Sequence, residues 1–122
     1  MAIAFTDVSS PSDSSSYGTL GPFKTVMKNV TFDSSYPTGG EAFTLAQTGL
    51  PTYCLGGIVI NHPTNAGGTL GLLMSVQTAT TGLTGTIKLY ETAATVDLPF
   101  DEVDNTFDAS LYTTARILFI GY

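Results

Sequence analysis

Reactive side chains come first, because their spacing decides whether the chain can do chemistry. Cys54 is the single cysteine and His62 the single histidine. A thiolate beside an imidazolium makes a working nucleophile. Cys54, however, sits in the mostly apolar run Thr52 to Asn61, the usual setting of an inert buried thiol. His62 stands in an Asn-His-Pro turn, where a solvated ring is expected. No serine lies in a Gly-x-Ser-x-Gly elbow. The reading therefore assigns no catalytic residue and expects no enzyme.

Metal and phosphate chemistry are tested in the same way. Asp101 to Asp108 holds four of the ten acids, a density of oxygen ligands that suits Ca²⁺. It lacks the glycine and the closing glutamate of an EF-hand loop, so a solvated acidic loop is expected and no metal is assigned. One cysteine and one histidine cannot supply a four-ligand zinc site. Gly39-Gly40 and Gly67-Gly68 lack the lysine and the following helix of a phosphate-binding loop, and no cofactor is expected.

Composition then limits the partners. Four basic residues against ten acidic ones leave a formal charge of −6, which gives a nucleic-acid backbone nothing to bind. Only 11% of the 122 residues are charged, and twenty threonines and thirteen glycines cover the surface instead. Such a surface is cheap to desolvate against another protein. No run approaches the roughly 20 apolar residues of a membrane span, so no membrane partner is expected. The start, Met1 to Phe5, has neither the basic region nor the apolar core of a signal peptide, and the lone cysteine fits a reducing compartment.

The elements that would carry any site read as strands. Val26, Val30 and Phe32 alternate with Thr25, Met27, Asn29 and Thr31 over Phe23 to Asp33. Thr52 to Asn61 is apolar, with a bulge or bend expected at Gly56-Gly57. Leu70, Leu72, Met74 and Val76 share one face of Thr69 to Ala79, and Ile87 and Leu89 one face of Gly85 to Thr92. Tyr112 to Ile120 is apolar on both faces, which predicts a central strand. Thr44 to Gln47 is the one helix candidate. The fold class is all-β, a single small antiparallel sandwich over residues 23–122. Residues 1–22 read as a Ser-rich N-terminal arm, either a floppy terminus or a segment whose apolar tip, Ile3 and Phe5, becomes ordered on a neighbouring subunit; removing residues 1–16 should weaken binding to partner subunits and leave the fold intact. Of the six tyrosines, Tyr36 and Tyr90 are expected to face outward and to suit a protein interface.

The segment Val30-Thr31-Phe32 through Tyr36-Pro37-Thr38-Gly39-Gly40-Glu41 to Thr44 resembles a run in small structural proteins of tailed bacteriophages, especially those of cyanobacteria and other aquatic bacteria. Lys88-Leu89-Tyr90, Asp108-Ala109-Ser110-Leu111 and the ending Phe119-Ile120-Gly121-Tyr122 are similar too. The resemblance spans about residues 23–122 and implies a capsid decoration, or cement, protein of jelly-roll type. It would be a homotrimer made in the host cytoplasm and bound to the major capsid protein on the outside of the virion. Interface residues on this reading are Ile3, Phe5, Tyr17, Tyr36, Pro37 and Tyr90. In the matching turn, Glu41 is expected to support the start of the short helix. The alternative is a tail or fibre adhesin that binds a host glycan.

Overall fold

The computed structural model describes residues 3–8, 17–64, 71–92, 100–103 and 108–122. Side-chain alternation builds its strands. In β3 (Phe23–Thr31) Val26 and Val30 point inward and are fully buried, while Thr25, Met27 and Asn29 take the opposite face. β9 (Ala115–Gly121) buries Ala115, Ile117 and Phe119 and turns Arg116, Leu118 and Ile120 the other way. β9 lies between β3 and β5 (Cys54–Asn61), both antiparallel to it. The central position expected from its two apolar faces is thus the one observed.

Two short strands complete this first sheet. β1 (Ala4–Asp7) pairs with Lys28 to Thr31, and β2 (Tyr17–Leu20) with Phe23 to Val26. They lie end to end along the side of β3 that β9 does not use. The second sheet runs β4 (Glu41–Thr44), β7 (Thr84–Thr92), β6 (Leu73–Thr78), with β8 (Phe100–Glu102) on the far end of β7. In each sheet a late strand enters between two earlier ones, β9 between β3 and β5 and β7 between β4 and β6. The two antiparallel sheets face one another as a small β-sandwich.

The two inner faces make one core. Val26, Val30, Ile117 and Phe119 from the first sheet belong to the same buried cluster as Phe43, Met74, Ile87 and Leu89 from the second. Phe43 and Phe119 stack tilted with ring centroids 5.4 Å apart. Burial of each such side chain contributes roughly 1.5–3 kcal/mol. α1 (Leu45–Thr48) is a single turn: the Thr44 N–H donates to Gln47 Oε1 (2.8 Å), and Gly49 ends it at a left-handed φ of 83°.

The N-terminal segment departs from its expected role. Ile3 is 2% exposed and joins the core; Phe5 packs 6.2 Å from Phe43 and 6.1 Å from Phe119, ring to ring. The described parts of residues 1–22 therefore add strands and core contacts to their own sandwich. The reason is β3, whose free side offers nine residues of unpaired backbone that β1 and β2 satisfy. Residues 9–16, which hold the serine-rich stretch, lie outside the described residues.

Candidate functional site

The outer face of the first sheet is built from the residues opposite the core. Register sets its rows. Met27 on β3 stands beside Leu118 on β9, which stands beside Ile58 on β5. The next row is Thr25, Ile120 and Gly56. Beyond it, Phe23 meets Tyr122 edge to face at 5.4 Å, and Tyr122 meets Tyr53 at 6.2 Å. On the other side lie Asn29 and Arg116, with Arg116 Nε donating to Asn29 Oδ1 (3.2 Å). Strands about 4.8 Å apart bring these side chains into a continuous apolar band.

Exposure shows that none of the described residues covers this band. Leu20 is 57% exposed, Ile58 51%, Ile60 49% and Tyr122 45%. Among the described residues, Arg116 is the only charged group on the face, and no carboxylate lies on it. The outer face of the second sheet is different: Ala42, Thr86 and Gln77 form one row, and Lys88 and Ser75 another. Leu73, 42% exposed, and Tyr90 make a third row, so this face is mostly polar with one apolar row, whereas the first is mainly apolar. An apolar face on a chain with net charge −6 suits contact with another protein.

The residues singled out in the sequence lie away from this band. Tyr36, expected to face outward, is 1% exposed. Its hydroxyl donates to Glu102 Oε1 (2.9 Å) and accepts from the Leu89 N–H (3.1 Å), and burial holds the phenol well above its ordinary pKa. Glu102 also accepts from the Gly39 N–H (2.9 Å) and stands 3.9 Å from Lys88 Nζ. The Tyr36 to Gly40 turn is therefore tied down by β8, and Gly40 serves it through a φ of 99° where a Cβ would strike Ile87 O at 2.6 Å. Pro37 is exposed on that turn, and Tyr90 is half-buried on the polar face, opposite Leu73. Ile3 and Phe5 belong to the core, and Tyr17 pairs with Val26. Of the interface residues expected from the sequence, Tyr36, Pro37 and Tyr90 thus gather around Glu102, while Ile3 and Phe5 lie in the core.

Two other residues sit differently from expectation. Glu41 does not support the helix: it lies inward on β4, 3% exposed, with Phe43 on the same face. Burial, reinforced by nearby Asp33, raises its pKa from 4.5 to about 7. His62 is half-buried, and its Nδ1 accepts the Met74 N–H (3.0 Å). Cys54 is buried, as expected; its thiol donates to Gly56 O, and desolvation raises its pKa. The whole length of β5, roughly 25 Å, separates it from His62, so no thiolate–imidazolium pair forms. Among the described residues no three metal-ligating side chains cluster, and no helix is long and apolar enough to cross a membrane. The centre of the acidic loop, residues 104–107, lies outside the described residues.

Comparison of the chain with family models, curated proteins and solved structures gives no match.

Proposed function

We propose that this chain is a structural protein that docks on other protein surfaces, and that it serves as a decoration protein on the outside of a bacteriophage capsid. The observation that carries the docking role is the contrast between the two outer faces. The Met27–Leu118–Ile58 band is apolar and free of side-chain carboxylates, while the second sheet turns mostly threonine, serine, lysine and glutamine outward, with Leu73 and Tyr90 at one end. A subunit on a lattice needs one adhesive face and one solvated face. Repetition over many copies then supplies the avidity that a single contact lacks. The capsid as partner is supported by the resemblance carried by Val30 to Thr44.

Sedimentation with expanded, undecorated phage heads tests this reading. The chain should pellet with the heads to saturation, and Met27→Glu, which puts a carboxylate in the middle of the band, should weaken binding at least tenfold. Gln77→Glu on the polar face should bind as the parent does. Equal binding by the folded Met27→Glu variant contradicts the docking face, and no pelleting at all contradicts the capsid. The adhesin alternative rests on the Phe23–Tyr122–Tyr53 aromatic group, which offers ring faces and edges to a sugar. A glycan array without a hit removes it.

A further inference from the structure

We infer that Arg116 receives a side-chain carboxylate of the partner, so that the segment seated on the first sheet is aliphatic with an acidic residue at one end. This rests on the outer face of the first sheet being the docking face, but not on a capsid being what docks there.

Register places the guanidinium at the border of the apolar band. Arg116 on β9 stands between Asn29 on β3 and Asn61 on β5, and Asn29 in turn stands beside Thr6 on β1. Residues directly opposite in a ladder share a face, so Thr6, Asn29, Arg116 and Asn61 form one outward row. The Met27, Leu118 and Ile58 row follows two residues further along the strands, about 7 Å away. Arg116 and Asn61 are both exposed.

This row holds hydroxyl and carboxamide groups and no acid, in a chain with ten acidic residues against four basic ones. Other cations of the chain have carboxylates beside them: Lys28 is paired with Asp7, and Lys88 stands 3.9 Å from Glu102. Asp7 follows Thr6 directly, but it lies opposite Lys28 and takes the other side of the sheet. Among the described residues, the one polar partner of Arg116 is Asn29, whose Oδ1 accepts from Nε (3.2 Å). That bond occupies the flank of the guanidinium and leaves the fork of its two Nη groups. Such a fork matches the two oxygens of a carboxylate. Asn29 also fixes the plane of the guanidinium, so less rotamer freedom is lost when a partner arrives.

Charge selects the class of partner. A chain at −6 is repelled as a whole by a polyanion such as a nucleic acid or an anionic membrane. A single carboxylate on an otherwise apolar segment meets only the local guanidinium, and closure of the aliphatic rows excludes water from the pair. A lysine or arginine in its place would face Arg116 as a like charge. An α-helix laid along the strands fits the spacing, because four residues rise about 6 Å against the roughly 7 Å between rows. Its glutamate reaches Arg116 while aliphatic side chains one and two turns on meet the Leu118 and Ile120 rows.

Peptide titration separates the carboxylate from the apolar contact. The probes are two four-turn amphipathic helices with a leucine stripe, identical except for glutamate or glutamine at the end of the stripe. Followed by heteronuclear NMR, the Arg116 Nε–H signal and the Leu118 and Ile120 amides should shift as peptide is added. The glutamate peptide should bind about tenfold more tightly than the glutamine peptide. Arg116→Gln should bind both alike, with the affinity of the parent for the glutamine peptide, and Arg116→Lys should recover only part of the preference. Equal binding of the two peptides by the parent, a preference that survives in Arg116→Gln, or no binding of either peptide would overturn the inference. Sedimentation with phosphatidylglycerol vesicles, lost in Arg116→Gln, would overturn it in favour of a lipid surface. No capsid enters these measurements, so a chain that fails to pellet with phage heads removes the capsid while the peptides still decide the role of Arg116.

Discussion

Replacing Glu41 by glutamine measures what the sandwich loses by enclosing a carboxyl group. Glu41 is 3% exposed on the inner face of β4, and burial, with Asp33 adding to it, lifts its pKa from 4.5 to about 7. The folded chain therefore holds this proton more tightly than the unfolded chain does. The stability that goes with the protonated group is fully present below about pH 4.5 and is lost as the pH rises through 7. The span from 4.5 to 7 is 2.5 pH units, and at about 1.4 kcal/mol per unit the full loss is about 3 kcal/mol. Glutamine has a similar shape and does not titrate, so the loss should vanish in Glu41→Gln. Urea unfolding followed by circular dichroism at pH 5 and pH 8 suits the test, since the chain has no tryptophan to report by fluorescence. The parent should lose about 2–3 kcal/mol more than the variant between the two pH values, and should be the less stable of the two at pH 8. Parallel losses in the two proteins would mean that Glu41 holds its proton no more tightly in the folded chain than in the unfolded one.

Three further perturbations follow from the packing. Tyr36→Phe strands the buried Leu89 N–H and removes a donor from Glu102, and should cost about 1–3 kcal/mol in urea unfolding. Deleting residues 1–8 removes Ile3 and Phe5 from the core and uncovers part of β3, so the unfolding free energy should fall by about 3 kcal/mol or more; an unchanged midpoint would restore the view of this segment as a separable arm. Gly121→Ala drives a Cβ to within 1.9 Å of Tyr53 O at the β5–β9 junction and should lower the melting temperature or abolish soluble expression.

Local pattern carried much of the fold. The alternation of Val26, Val30 and Phe32, the Gly56-Gly57 pair beside a bulge, and the Thr44–Gln47 turn are each decided by neighbours in sequence, and each is found where it was expected. Residues whose setting depends on distant partners were not legible. Tyr36 is drawn inward by Glu102 and Leu89, 66 and 53 positions away, which no reading of its own turn reveals. Ile3 follows the same logic, since the need it meets belongs to β3. Glu41 looked like a helix-start acid because its sequence neighbourhood is a turn, yet strand alternation with Phe43 points it inward. The apolar outer face of the first sheet was half visible. The two apolar faces of Tyr112 to Ile120 predicted a central strand, but only the Phe119 side meets the other sheet, and the Leu118 and Ile120 side is the exposed band.

Hydroxyl-radical footprinting of the chain, free and bound to expanded phage heads, reads the docking surface residue by residue. Methionine and aliphatic side chains record solvent contact through their oxidation. Met27, Leu118 and Ile120 should be protected on binding, while Leu73 and Tyr90 on the second sheet should react as they do in the free chain. Protection of Leu73 and Tyr90 with Met27 still oxidised would contradict the assignment of the first sheet as the docking face.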